Sequence, residues 1–211
     1  MAKPTAPTRG PLAGDEKTRS ALLEAAAARY ARYGPRKTTM EEVARTAGFS
    51  RATVYKHFRN KDALYRALLD RATQGFIAQV EACIAEPGGA REKLRQIVEI
   101  AHAVYSRSPV LLGAAAEDDE MRIETIAAAA MRRHEARLIT LLAKVLGQGV
   151  QSGSIRRIDP QSVAYLIFQL GNVLVIREVS GRRDFPFQRI LDAMDDLINF
   201  GLAPASPIQV E

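Results

Sequence analysis

Between Thr39 and Phe58 the chain carries two short apolar stripes of helical spacing, each opened by a helix-capping residue and separated by one glycine. Thr39 is followed three residues later by Glu42, the capping-box pattern in which hydroxyl and carboxylate satisfy each other's orphan backbone donors. Met40, Val43, Ala44 and Ala47 then recur at i, i+3, i+4 and i+7, which predicts a short amphipathic helix. Gly48 suits the left-handed position that ends such a helix, and Ser50 caps a second one running to about Phe58. Two short helices joined by a tight glycine turn form a helix-turn-helix, whose second helix is built to enter the major groove of DNA.

The same punctuation organises the rest of the chain. A first helix is expected from about Asp15, with Leu22, Leu23, Ala26, Tyr30 and Tyr33 on one face and Gly34–Pro35 stopping it. Asn60 caps a long helix carrying Leu64, Leu68, Leu69, Ala72 and Phe76 inward, and Pro87, Gly88 and Gly89 break it. Further helices are predicted at about 90–107, 109–116, 119–150, 160–179 and 186–201, with Pro109, Pro160 and Pro186 near their starts. No run of alternating apolar residues reads as a strand. The expectation is an all-α chain of about nine helices: a flexible basic tail over 1–14, a three-helix helix-turn-helix domain over 15–72, and a second helical domain over 73–211.

A chain of 211 residues, 47% hydrophobic, is long enough to bury a core. Its one cysteine, Cys83, excludes an internal disulfide and a Cys-rich zinc site. The most apolar stretch, residues 162–179, is interrupted by Gln169, Asn172, Arg177 and Glu178, so the sequence reading places no span in a membrane and the chain in the cytoplasm. Charge is unevenly spread. Through residue 72 there are 15 Lys or Arg against 7 Asp or Glu, and beyond it 15 against 17, so the surplus behind the net charge of +6 is N-terminal. Such a domain suits a polyanion, because Lys and Arg beside phosphates release condensed counterions.

The second short helix has a readable geometry. At about 100° per residue Val54 and Phe58 define its inner side, which turns Ala52, Thr53 and Lys56 outward and leaves Tyr55 and His57 on the shoulders. Ala52 is small enough for close approach, Thr53 can exchange hydrogen bonds with a base edge, and Lys56 can reach guanine or phosphate. Tyr55 and His57 face the phosphate rails, and Arg51, in the first turn, can reach either target.

The stretch TTMEEVARTAGFSRATVYKHFRNKDALYRAL, Thr38 to Leu68, closely resembles the DNA-binding domain of the tetracycline-repressor (TetR) family. The likeness extends from about Thr18 to Ala72 and includes the step from Phe58 to Lys61. It implies that Thr39 and Lys61 contact phosphates from helix N-termini, and that Ser50, Arg51, Thr53, Tyr55 and His57 make groove or backbone contacts. It also implies a homodimer formed by the last two helices, at about 160–179 and 186–201, and a repressor released from a palindromic double-stranded operator by a small-molecule effector. Past residue 90 the likeness is one of architecture, so the effector is not inherited with it.

In the C-terminal half His134 extends an apolar stripe of Ile123, Ile126 and Ala130 toward Leu138 and Leu141, and a polar group so placed needs a partner. His102, Tyr105, Met121, Met131, His134, Phe168 and Asn172 together have the apolar bulk and sparse polarity of a small-molecule pocket. Each also fits an ordinary core. No catalytic constellation, metal motif or cofactor fingerprint is found, so no enzyme is expected; the acidic run Glu117–Glu120 reads as a solvated helix start. Two rival readings remain open: a helical carrier or enzyme with an incidental basic N-terminus, and a regulator answering to a protein partner.

Overall fold

The computed structural model describes residues 13–111, 121–179, 181 and 186–202, with side chains described except at 13, 121–127, 198–200 and 202. Most of the basic tail and the run Glu117–Glu120 therefore lie outside the described residues. Among the latter every regular element is a helix: α1 (Ala13–Lys37), α2 (Met40–Ala47), α3 (Arg51–His57), α4 (Lys61–Ala85), α5 (Ala90–Arg107), α6 (Met121–Gln151), α7 (Pro160–Val179) and α8 (Phe187–Leu202). Residues 109–111 are also helical; the remainder of the stretch predicted at 109–116 is outside the described residues. The chain divides into two compact units, Met1–Leu68 and Leu69–Glu211, with the boundary inside α4.

In the first unit α1 packs on α2 and α2 on α3. Leu22, Leu23, Ala26, Tyr30, Val43, Val54, Phe58 and Leu64 are buried there. Each large apolar side chain so removed from water contributes roughly 1.5–3 kcal/mol. Gly34 does not end α1 outright. Its backbone, at φ 76 and ψ 161, leaves the helix for one residue, and Pro35 restarts a last turn to Lys37. Proline is tolerated there because the first residue of a turn has no intrahelical partner for an N–H. Tyr33, expected on the buried face, is exposed instead, its ring covered by the guanidinium of Arg29 at 4.2 Å. It lies in the turn just before the kink, beyond the last core residue, Tyr30.

In the second unit α7 makes its most extensive contact with α6, and α5 packs against α6, α7 and α8. Gly149 is where α6 meets the start of α5: a Cβ there would lie 2.9 Å from the Cβ of Ala90 and 2.6 Å from Ile155 Cδ1, so only glycine permits the approach. Arg95 of α5 ties α8 down through Asp195 and Asp192. By length and mean hydropathy, 1.4, α7 does reach the dimensions of a membrane span. In the fold, however, its Ala164, Ile167 and Val175 are buried against other helices.

Candidate nucleic-acid interface and internal cavity

The caps that the sequence predicts position the reading head. Thr39 Oγ1 accepts from Glu42 N at 3.2 Å while Thr39 N donates to Glu42 Oε2 at 2.9 Å. The Thr39 backbone bond, helped by Arg29 at 2.6 Å, holds the Glu42 carboxyl below the usual range. Gly48 closes α2 at φ 74, in the left-handed region, and its N–H bonds to the carbonyls of Ala44 and Arg45. Ser50 Oγ accepts from Thr53 N at 3.1 Å, and Asn60 Oδ1 accepts from Ala63 N at 2.9 Å to start α4.

These caps set the face that α3 shows to solvent. Val54 is wholly buried, whereas Arg51, Ala52, Tyr55 and Lys56 are exposed and Thr53 is half-buried. The Thr53 hydroxyl lies 2.9 Å from that of Ser50, so the two act as one hydrogen-bonding group at the head of the helix. Arg51 is paired with Glu41 at 2.8 Å and its guanidinium lies over the Tyr55 ring. Lys61 Nζ donates to the Arg36 carbonyl at 2.8 Å, which fixes it at the N-terminus of α4.

The position of His57 departs from the helical-wheel reading. Its side chain is only 6% exposed, turned toward Asp15 of α1 with Nε2 3.6 Å from Oδ1, so it is not the outward shoulder that the wheel suggests. The same carboxylate takes Lys56 Nζ at 3.1 Å. A wheel treats α3 as an isolated cylinder, and the first turn of α1 covers one of its sides. On the expectation that Lys56 contacts DNA, Asp15 is its competitor. Replacing it by asparagine (Asp15→Asn) is expected to strengthen binding to random DNA and steepen the salt dependence by about one unit in the slope of log K on log salt. A salt titration by fluorescence anisotropy measures this; an unchanged slope shows that Lys56 leaves Asp15 at no cost.

The second unit holds a half-open cavity of about 40 Å³ between α4, α5, α6 and α7. Of the seven pocket candidates, Tyr105, Phe168 and Asn172 line it. His134 does not line it but is buried directly behind the Phe76 ring, at 5.1 Å between centroids. His102 is stacked on Phe187 at 4.0 Å, away from the cavity wall, and Met131 is half-buried elsewhere. The side chain of Met121 lies outside the described residues. The cavity's other walls include Phe76 and Leu138, which the sequence places in the core but not in a pocket, and Val98, Ala101 and Gly171, which it does not mark. A signal for them existed: Ala101 and Val98 are one and two turns before Tyr105, and Leu138 one turn after His134.

Burial governs the protonation of this region. It pushes the Tyr105 phenol up to about 12 and the His134 imidazole down to about 4. Neither ring nitrogen of His134 has a hydrogen-bond partner among the described residues, so the partner expected from sequence is not supplied by the core they form.

Comparison with known proteins agrees with this architecture. Residues 22–68 match the pattern described as bacterial regulatory proteins, tetR family. The chain is 23% identical over 158 residues to the HTH-type transcriptional regulator YhgD of Bacillus subtilis, covering 73% of this chain and 80% of that one. It is 40% identical over 52 residues to the probable acrEF/envCD operon repressor of Escherichia coli, a match spanning 25% of this chain and about a quarter, 24%, of that protein. The fold is that of the transcriptional regulator FadR from Bacillus subtilis, solved in complex with stearoyl-CoA, with a TM-score of 0.69 at 20% identity over 87% of this chain and 98% of that one. A capped helix-turn-helix with an outward α3 thus carries, over residues 22–68, the sequence pattern of the tetR family of bacterial regulatory proteins, in a fold shared with solved regulators of transcription.

Proposed function

We propose that the chain is a cytoplasmic homodimeric repressor that holds a two-fold symmetric operator and releases it when a small molecule enters the Leu69–Glu211 unit. The outward face of α3 carries the reading: Ala52, Thr53, Tyr55 and Lys56 are presented around a buried Val54. Ala52 and the Ser50–Thr53 pair read base edges. Thr39, Arg51, Tyr55, Lys56 and Lys61 hold phosphates or the groove rim, and His57 braces α3 against α1. Dimerisation through α7 and α8 is supported by an apolar stripe that a lone chain leaves in water: Tyr165, Leu166, Leu170 and Val173 on α7, with Leu197 on α8. FadR, which shares the fold, binds stearoyl-CoA in its solved complex, and this supports effector binding here.

Selection of bound sequences from random DNA tests the reading, with an inverted repeat as the expected product, because identical recognition helices require a mirrored site. On the selected site Thr53→Ala is expected to relax preference at particular base pairs at a cost of about 1–3 kcal/mol, whereas Lys61→Ala weakens all sequences alike. Equal losses on selected and random DNA for both variants would show that α3 is not the reading helix.

A further inference from the structure

On the reading of the chain as an effector-released regulator, we propose that its effector is an uncharged, largely apolar molecule with one hydrogen-bonding group. It is admitted by displacement of the Phe76 ring, so that this group meets His134.

Three observations converge. Among the described residues the wall of the cavity carries no charged side chain, and its polar side chains are Tyr105 and Asn172. An ion entering there would lose its hydration without a counter-charge, whereas an apolar body would lose nothing. The cavity itself, at about 40 Å³, holds a few water molecules at most, far short of the roughly 300 Å³ a bound metabolite fills, so a molecule of that size is buried here only when a wall moves. Phe76 is the wall with something behind it. Its ring lines the cavity on one side and packs on His134 at 5.1 Å on the other, with Tyr105 edge-on at 6.1 Å.

His134 is 4% exposed and both its ring nitrogens lack partners among the described residues, a state that native interiors seldom keep. Held neutral by its burial, the imidazole offers one donor and one acceptor to an incoming group and no charge. A hydroxyl or carbonyl brought past the displaced ring satisfies it. Phe76 belongs to α4, the helix whose first residues, Lys61 to Leu68, are part of the helix-turn-helix unit. Moving it therefore acts on an element that both units share.

The test uses three probes on the full-length protein at pH 7: 1-naphthol, naphthalene and naphthalene-1-sulfonate. Affinities are taken from fluorescence titration, and the His134 imidazole is followed by NMR. Naphthol is expected to bind about tenfold more tightly than naphthalene, as one satisfied buried hydrogen bond implies, and the sulfonate not at all. Only naphthol shifts the His134 resonances. In His134→Leu the naphthol preference collapses while naphthalene binding persists, which also shows that the variant is folded; His134→Gln, which keeps a donor and an acceptor, restores part of it. Phe76→Leu strengthens binding of both neutral probes. Failure of naphthol to bind, sulfonate binding equal to naphthol, an undiminished naphthol preference in His134→Leu, or unchanged binding in Phe76→Leu each overturns the proposal. DNA binding is measured on the same preparations. Its absence defeats the regulator reading, whereas DNA binding without any His134-dependent discrimination defeats only this inference.

Discussion

Placing glutamate at both Leu166 and Leu170 is expected to turn the protein into a monomer and to lower operator affinity about 100-fold or more, since the second recognition helix then no longer binds as part of one body. The two leucines are 58% and 55% exposed in the single chain, so the substitution disturbs no packing within it. Their stripe, with Tyr165 and Val173, is opposite the one through which α7 buries Ala164, Ile167 and Val175 in its own unit. A helix that is apolar on both sides needs two partners, and the chain supplies one. Analytical ultracentrifugation reads the oligomeric state, and circular dichroism checks that helix content is kept. A double variant that stays dimeric at micromolar concentration would refute the α7 interface, and a monomer that keeps full operator affinity would refute the need for a dimer.

Acid should destabilise the protein through His134. Burial lowers the folded-state pKa from the ordinary imidazole value of 6.5 to about 4, so between those values the unfolded chain binds a proton that the folded chain refuses. Stability from this residue is complete above about pH 6.5, falls as pH drops toward 4, and changes no further below it; the whole loss is roughly 3 kcal/mol. His134→Leu removes the titration and also the two unpaired nitrogens, so the variant should be at least as stable as the parent at pH 7 and clearly more stable at pH 4.5. Urea unfolding of both proteins at pH 7, 5.5 and 4.5 measures the difference between them, in which the carboxylates common to both cancel. A constant difference across that range would mean that His134 is protonated or solvated in the folded state.

The helices and the outward face of α3 were legible in the sequence because they follow from contacts three or four residues apart. Thr39 finds Glu42, Ser50 finds Thr53, Asn60 finds Ala63, and Gly48 turns left-handed, whatever the rest of the chain does. The stripe of Met40, Val43 and Ala44 likewise needed only the helical repeat to be placed inward. Where the helices pack decided the remainder. Asp15 closes over His57 and Lys56, and Phe76 comes between His134 and the cavity. His102 leaves the cavity for Phe187. Those pairs are far apart in the chain, and periodicity says which face a residue occupies but not which distant face it meets. The sequence could therefore require a partner for His134, and only the packing of α4 against α6 shows that none of the described residues provides one.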